Sequence, residues 1–157
     1  RDRDYAHDHV RILSGLYGIL KPKDNVHPYR LEMGTKIKVG RANNLYEFWG
    51  NKLVDQLNQD LKQEKEQVLV NLASNEYFRA VPNKNLKGKV ITPVFKDFKN
   101  GEYKSIMVYA KKARGMMANY IVKNKIEKAD HLKGFDYDGY VYNEAASSDG
   151  ELVFLRG

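Results

Sequence analysis

The fold of this chain is decided by residues 90–110, which have the sequence VITPVFKDFKNGEYKSIMVYA. Val90–Phe95 is β-branched and apolar, which predicts a strand, and Asn100-Gly101 is a dipeptide typical of a two-residue hairpin turn. We therefore expect this strand to pair in an antiparallel way with Tyr103–Ala110. Pro93 has no N–H to donate, which favours a sheet edge, a bulge or a strand end at that position.

Further strands and helices surround this hairpin. Val68–Leu72 is short and almost wholly apolar, which predicts a central strand buried on both faces. Apolar residues at helical spacing and helix propensity predict three longer helices. The expected helices are residues 5–20, 44–63 and 111–125, and the other expected strands are residues 29–34, 139–143 and 151–155. This order predicts an α/β or α+β fold, a mixed β-sheet with flanking helices and β-hairpins, in a single domain of residues 1–157.

Local signals refine two of these helices. The apolar stripe within residues 5–20 is wide, so we expect that helix to be buried on most sides and to end at Lys21-Pro22. Asn44 is the expected N-cap of the next helix, because Glu47 follows three residues later. Its expected apolar seam consists of Trp49, Leu53, Leu57 and Leu61.

Composition excludes several kinds of site. The chain has no cysteine, so it has no disulfide, no thiolate metal site and no cysteine nucleophile. Its four histidines lack metal-ligand spacing, and we expect neither a bound metal nor a cofactor. The longest apolar run, Ile12–Leu20, is shorter than the ~20 residues of a membrane span. Nothing resembles a signal peptide, a Walker loop or a dinucleotide fingerprint, and we expect a cytoplasmic protein without membrane contact.

The charge is unevenly distributed along the chain. The formal net charge is +7. Residues 84–133 contain 13 Lys and Arg against 4 Asp and Glu, whereas residues 134–157 contain 1 against 5. An asymmetry of this kind attracts polyanions. The alternative interpretation is a lysine-rich surface that is only solvated.

The most informative basic segment is YAKKARG, residues 109–115. If the helix begins at Lys111, then Lys111, Lys112 and Arg114 lie in or beside its first turn. Cations there are disfavoured by about 0.3–1 kcal/mol each, because the helix N-terminus is itself partly positive. A bound phosphate would resolve this conflict, so we predict an anion site. The alternative is that these side chains extend into water at little cost.

Polar residues follow the expected strand at residues 68–72. Ser74 and Asn75 lie where that strand leads into a short helix, a position at which ligands gather in open sheets. Each residue is also explained by helix capping alone. Arg30 and Glu32 share one face of an expected strand, either as an ion pair or as the wall of a polar site. Asp136 and Asp138 are better explained by a turn than by a catalytic pair of carboxylates.

Seven segments of the chain together resemble one known family. They are RILSGLYGILKP, PYRLEMGTK, LYEFWG, VNLASNEYF, PVFKD, YAKKARGMM and GELVF, in consistent order from about His9 to the end. They resemble the YaaA-type bacterial peroxide stress-response proteins. Members of that family are longer at the N-terminus, so the resemblance implies that this chain is the C-terminal portion of such a protein.

The resemblance implies a cytoplasmic protein that is induced by hydrogen peroxide and helps to limit free intracellular iron. It also implies DNA binding through a positively charged cleft and a helix-hairpin-helix element, which these residues do not locate. The cleft residues carried over by the motif match are Arg30, Glu32, Asn71, Ser74, Glu76, Lys111, Lys112 and Arg114.

Three classes of function follow from these observations. The first is DNA binding through backbone phosphates, with little sequence readout, by Lys111, Lys112 and Arg114. The second is an enzyme acting on a phosphate-bearing or other small anionic ligand. The third is direct iron binding, which the absence of cysteine and of clustered histidine disfavours. The sequence identifies no reaction and no catalytic residue.

Overall fold

The computed structural model describes residues 1–157. By its internal contacts the chain divides into two units. The first unit comprises Arg1–Glu64 and Ala73–Lys87, and the second comprises Lys65–Leu72 and Gly88–Gly157. Helices and a mixed sheet are both present, which confirms the expected α/β class. The expectation of a single domain stays a prediction.

The first unit is mainly helical. Its elements are α1 (Asp2–His9), β1 (Ile12–Ser14), β2 (Gly18–Leu20), α2 (Leu45–Trp49), α3 (Lys52–Leu61) and α4 (Asn75–Phe78), with a 3₁₀ turn at Asn83–Asn85. Strands β1 and β2 form a two-stranded antiparallel sheet in which Ile12 pairs with Leu20. The buried centre of this unit is formed by Met33, Leu45, Leu53 and Ala80.

The expected helix over residues 5–20 is wrong. Only α1 is helical, and residues 12–20 form the hairpin of β1 and β2. Two glycines explain the hairpin. Gly18 has φ +80°, a conformation that few other residues adopt, and an added Cβ at Gly15 would lie 2.6 Å from the carbonyl oxygen of Leu31. Trp49 then donates from Nε1 to the carbonyl oxygen of Gly15 at 3.1 Å.

The expected helix over residues 44–63 is interrupted. Its N-cap is confirmed, because the Asn44 side chain accepts a hydrogen bond from the Glu47 amide at 2.9 Å. Gly50, at φ +51°, ends α2, and α3 begins two residues later. The apolar seam persists across the break, because Leu53, Leu57 and Leu61 are all buried and Trp49 packs against the buried centre.

The expected strand at residues 29–34 is also wrong. Residues 29–32 have no regular structure, and residues 33 and 34 form a turn. The backbone of residues 29–34 contacts other segments instead of forming the hydrogen-bond ladder of a strand. The Leu31 carbonyl faces Gly15, and the Gly34 amide donates to Glu76 Oε2 at 2.9 Å. Met33 is fully buried, so this segment contributes to the core as a loop rather than as a strand.

The second unit contains the mixed sheet and the longest helix. Its elements are β3 (Val68–Val70), β4 (Lys89–Lys99), β5 (Glu102–Lys104), α5 (Met107–Asn124), β6 (Val141–Tyr142) and β7 (Glu151–Arg156), with 3₁₀ turns at Ala129–Gly134 and Tyr137–Gly139. The strand order is β3-β4-β7-β6, and β5 also pairs with β4. Strands β3, β4 and β7 are parallel, whereas β5 and β6 are antiparallel to their neighbours.

The Asn-Gly hairpin is confirmed, and its second strand is shorter than expected. Asn100 and Gly101 have φ +55° and +83°, as the turn requires. Strand β5 ends at Lys104, and α5 begins at Met107, so the expected strand over residues 103–110 is wrong. The Ala110 amide donates to the Ile106 carbonyl oxygen at 2.8 Å, so a helical hydrogen bond replaces strand pairing over these residues.

Pro93 lies within β4, neither at a strand end nor at a bulge, but where one side of the strand has no ladder partner. The preceding residue, Thr92, donates its amide to the Gly150 carbonyl on the β7 side. Because successive amides of a strand point in opposite directions, the nitrogen of Pro93 faces the β3 side. Strand β3 has already ended there, since its last pair is Val70 with Ile91. The missing donor of Pro93 therefore interrupts no ladder.

Two expectations about the remaining strands have different outcomes. Val68–Val70 lies at the end of the strand order and is half-buried, so the expected central strand buried on both faces is wrong. The antiparallel pair near the C-terminus is confirmed, with Val141 opposite Leu155. The turn expected around Asp136 and Asp138 is also present, and Asp138 has φ +56°.

Candidate nucleic-acid interface

The basic segment lies further inside α5 than the sequence indicated. The helix begins at Met107, so Lys111 is its fifth residue and Arg114 its eighth. The effect of the helix dipole falls off within the first turn, and the predicted conflict between cations and dipole is therefore wrong. Any anion site here depends on the side chains rather than on free amides at the helix start.

The lysines of this segment lie on the solvent side of α5. Ala113 and Met117 are fully buried, and at about 100° per residue the opposite side of the helix includes Lys111 and Lys112. Both lysines are exposed, whereas Arg114 is half-buried. Neither lysine forms an ion pair with a carboxylate. Two compact cations are thus available on this face to an approaching anion.

Gly115 lies between these cations and the next turn of the helix. It is exposed, and a Cβ placed on it would have no heavy atom within 4 Å. Glycine inside a helix costs about 1 kcal/mol relative to alanine. Nothing within the chain fills the space that glycine leaves. The helix surface is therefore open beside Lys111, Lys112 and Asn119, which are its neighbours at helical spacing.

The remaining predicted residues are divided between the two units. Arg30, Glu32, Ser74, Asn75 and Glu76 belong to the first unit, and Asn71 belongs to the second with the basic segment of α5. Arg30 and Glu32 are exposed, lie in no strand and form no ion pair with each other. The shared strand face that was expected for them is therefore wrong.

Within the first unit, Glu76 has a structural role. Its Oε2 accepts from the Gly34 amide at 2.9 Å, and its carbonyl oxygen accepts from the Tyr46 hydroxyl at 2.7 Å. Ser74 occupies the N-cap position of α4 but makes no side-chain capping bond, and Asn75 is the first, exposed residue of that helix. Glu76 thus connects α4 to two other segments of its unit.

Within the second unit, Asn71 extends the pairing of β3 with β4. Its amide donates to the Ile91 carbonyl at 2.8 Å, and its Nδ2 lies 3.4 Å from Thr92 Oγ1. Both contacts are to the neighbouring strand. They position the residue that directly follows the carboxyl end of β3.

The second unit also contains a polar network that was not predicted from the sequence. Asp97 is only 7% exposed. Its Oδ2 accepts from the Tyr140 hydroxyl at 2.8 Å, and its Oδ1 accepts from Arg156 Nε at 2.5 Å. Arg156 Nη1 donates at 2.8 Å to Asp138. A buried carboxylate is thus fully paired, which removes most of the cost of its burial.

This network connects the ends of β4 and β7 to the turn before β6. The Arg156 guanidinium lies 4.3 Å from the centroid of the Tyr140 ring and 5.2 Å from that of Tyr109, in the first turn of α5. Burial, and then the hydrogen bond to Asp97, raise the pKa of Tyr140 above its ordinary value. The phenol therefore stays protonated and continues to donate.

Alternation along β4 could have revealed this network. Ile91, Pro93 and Phe95 point to the core, and Asp97 follows in the same period of two. A carboxylate at the next core-facing position needs a buried cation or donor as its partner. The partner, Arg156, is 59 residues away and could not have been chosen from the spacing alone.

Two kinds of feature are absent from residues 1–157. The structure contains no group of three or more His, Cys, Asp or Glu residues that could hold a metal ion. It also contains no helix that is both long enough and apolar enough to span a membrane.

The fold defines an α/β protein whose longest helix exposes a basic face, and comparison with known proteins gives its family. The family model described as "Peroxide stress protein YaaA" matches residues 1–146. A UPF0246 protein of Saccharophagus degradans is 56% identical over 155 residues, which is 99% of this chain and 60% of the relative. A UPF0246 protein of Aliivibrio fischeri strain ES114 is 57% identical over 153 residues, which is 98% of this chain and 59% of the relative.

A further UPF0246 protein, from Shewanella amazonensis, is 56% identical over 153 residues, which is 98% of this chain and 60% of the relative. The chain belongs to the YaaA family of peroxide stress proteins, as the seven sequence segments indicated. It spans about 60% of the length of these relatives.

Proposed function

We propose that this chain contributes a DNA-binding surface to a cytoplasmic peroxide stress protein, and that Lys111, Lys112 and Arg114 contact backbone phosphate. The observation that carries the proposal is the solvent face of α5, where two exposed lysines without carboxylate partners lie one turn before an open glycine. Phosphate contacts by lysine and arginine supply sequence-independent affinity. Little base readout is expected, because these cations lie on the helix surface. Only Arg114 has the planar set of N–H donors that can recognise a base edge.

The charge distribution supports the same proposal. Residues 84–133, which include all of α5, carry 13 cationic and 4 anionic side chains. Some of these cations are already paired, such as Lys89 with Asp149 and Lys133 with Asp130. Lys111 and Lys112 are not, so a phosphate would not have to displace a protein carboxylate from them. The remaining positive field would steer a polyanion towards the unit.

The proposal is tested by anisotropy titrations of a labelled DNA duplex over a series of salt concentrations. Each phosphate contact that is lost should lower the slope of log affinity against log salt by about 0.9. We expect a Lys111/Lys112/Arg114→Ala variant to bind more weakly and to lose about 3 in slope. Because Arg114 is half-buried, a Lys111/Lys112→Ala variant is included and should lose about 2.

A control variant matches the change in charge. Lys36, Lys38 and Arg41 are exposed cations of the first unit, and their replacement by alanine also removes three positive charges. We expect this control to retain most of the slope. An equal loss in both triple variants would show that total charge rather than the α5 face governs binding, and would refute the proposed location.

The role in peroxide stress includes a proposed effect on iron. Family membership supports the proposal that the whole protein helps to limit free intracellular iron, as the resemblance implied. The measurement is chelatable iron in cells that lack the full-length protein, after exposure to peroxide. We expect more free iron in such cells than in complemented cells, and equal levels would refute this part of the proposal.

A further inference from the structure

A polar hollow in the first unit has no role in the DNA-binding proposal. Its volume is about 490 Å³, within the range of about 300–1,000 Å³ that is common for small-molecule sites. It is open to solvent and is bordered by two segments, one running through α2 and the other following α4. The lining residues are Asn44, Tyr46, Glu47, Gly50, Asn51, Arg79, Ala80, Pro82, Lys84 and Asn85.

One cation of the hollow is held in place by an aromatic ring. The Arg79 guanidinium lies 4.4 Å from the centroid of the Tyr46 ring. Tyr46 is itself fixed, because its hydroxyl donates to the Glu76 carbonyl oxygen at 2.7 Å. A guanidinium on an ordered ring loses less conformational freedom when it binds an anion. Arg79 has no carboxylate partner, so its planar set of N–H donors remains available.

The other polar groups add donors to the same hollow. Lys84 is exposed and forms no ion pair. Asn44 and Asn51 use their side-chain oxygens as acceptors, from the Glu47 amide and from Asn85 Nδ2. Their own N–H₂ groups make no hydrogen bond within the chain. The hollow is therefore rich in donors that have no acceptor within the chain.

Glu47 is the one carboxylate in the lining. Its Oε2 accepts from the Asn43 amide at 2.8 Å, which leaves Oε1 as an acceptor. With Arg79 and Lys84, the lining has a net charge of +1. A ligand that matches this arrangement has an anionic group with several acceptor oxygens and at least one hydroxyl that can donate.

We propose that this hollow binds a small phosphorylated polyol of the sugar-phosphate class. Arg79 and Lys84 hold the phosphate, because a phosphate monoester offers three acceptor oxygens and nearly two negative charges at neutral pH. Glu47 accepts a hydrogen bond from a ligand hydroxyl, and Asn44 and Asn51 donate to the remaining oxygens. The site lies wholly within the first unit and is independent of the α5 surface.

The test is calorimetric titration of the 157-residue chain with ribose 5-phosphate, with inorganic phosphate and with ribose. We expect ribose 5-phosphate to bind most tightly, inorganic phosphate more weakly, and ribose not at all. Arg79→Gln and Lys84→Gln should each weaken the binding of ribose 5-phosphate by about tenfold, because each removes a charge-assisted hydrogen bond. Glu47→Gln should weaken ribose 5-phosphate but not inorganic phosphate.

Controls separate this site from general charge and from the DNA surface. Lys87→Gln removes an exposed cation outside the hollow, and the Lys111/Lys112/Arg114→Ala variant removes the α5 cations. Both should bind ribose 5-phosphate normally. The fluorescence of Trp49 checks that the first unit of each variant is folded, and far-ultraviolet circular dichroism checks the second unit. The proposal fails if folded wild-type protein binds no ribose 5-phosphate, if ribose binds equally well, or if Lys87→Gln weakens binding as much as Arg79→Gln. Displacement of ribose 5-phosphate by a DNA duplex would also overturn it, because the hollow would then belong to a nucleic-acid surface.

Discussion

Replacing Gly115 by alanine should make the chain more stable. Gly115 lies in the middle of α5 and is exposed, and a methyl group added there would have no heavy atom within 4 Å. The new methyl group therefore costs no clash. Alanine is favoured over glycine inside a helix by about 1 kcal/mol, chiefly because it restricts the unfolded chain. We expect the free energy of unfolding to rise by about 0.5–1 kcal/mol.

The assay is urea unfolding followed by far-ultraviolet circular dichroism, which reports on α5 because it is the longest helix of the chain. For a chain of this length, 1 kcal/mol corresponds to a shift in Tm of about 2–4 °C. The control is Gly101→Ala in the same unit, where a new Cβ also meets nothing within 4 Å. Because Gly101 has φ +83°, alanine there should destabilise the chain by about 1 kcal/mol.

At both positions a new Cβ meets open space, whereas only Gly101 has a positive φ, so opposite signs are the expected result. A neutral or destabilising Gly115→Ala would refute the placement of this residue on an open helix face. If α5 also contacts DNA as proposed, the stabilised Gly115→Ala variant should bind the duplex more weakly, because the methyl group occupies the space beside Lys111 and Lys112. Weaker DNA binding by a Gly115→Ala variant that is at least as stable as the wild type would show that the effect on binding does not arise from unfolding.

Three further predictions follow from close contacts and buried charges. Gly15→Ala should destabilise the first unit by about 1–3 kcal/mol, because the new Cβ would lie 2.6 Å from the backbone oxygen of Leu31. Asp97→Asn should cost about 2–3 kcal/mol, because the charged acceptor of two hydrogen bonds is lost, whereas Asp138→Asn should cost less than about 1 kcal/mol at its half-exposed position. Tyr140 has a raised pKa in the folded state because of burial and its hydrogen bond to Asp97. Its contribution to stability is therefore complete below pH ~10, the ordinary tyrosine value, and is lost as the pH rises towards the folded-state value. Tyr140→Phe should reduce this alkaline loss.

The measurements for these three use different probes. The chain has one tryptophan, Trp49, which donates to the Gly15 carbonyl, so its fluorescence reports the unfolding of the first unit. Gly150→Ala serves as a control, because its new Cβ would meet only an ordinary contact at 3.7 Å. Gly150 belongs to the second unit, which has no tryptophan, so both glycine variants are also followed by far-ultraviolet circular dichroism. Equal losses of stability at both glycines would contradict the close-approach argument. For Asp97→Asn, Asp138→Asn and Tyr140→Phe, urea unfolding near pH 7 and near pH 11 is compared by circular dichroism. Equal costs for the two aspartates, or an unchanged alkaline loss in Tyr140→Phe, would contradict the proposed network.

The sequence by itself determined the features that depend on neighbouring residues. The Asn100-Gly101 turn, the Asn44 cap and the apolar seam of Leu53, Leu57 and Leu61 all form as predicted. Each of these depends on a backbone conformation or a hydrogen bond within a few residues. The fold class and the family resemblance were also available from the sequence. The first rests on the order of the expected strands and helices, and the second on seven segments that occur in a consistent order.

Tertiary contacts decided where those local patterns were overridden. Residues 12–20 have helical spacing, yet they form a hairpin because Trp49 and Leu31 contact the backbone of Gly15 from distant parts of the chain. The Asn100-Gly101 turn favours a strand over residues 103–110, yet β5 ends at Lys104 and α5 begins at Met107.

The candidate site shows the same division. The sequence located the basic segment of α5, but the helix begins at Met107 rather than at Lys111, which moves the cations out of its first turn. The ion pair of Asp97 with Arg156 and the cation of Arg79 over Tyr46 join residues 59 and 33 positions apart. The spacing of residues along the chain does not specify such a pair. The two residues meet only when the chain folds, and a charge that folding buries is costly unless it is paired.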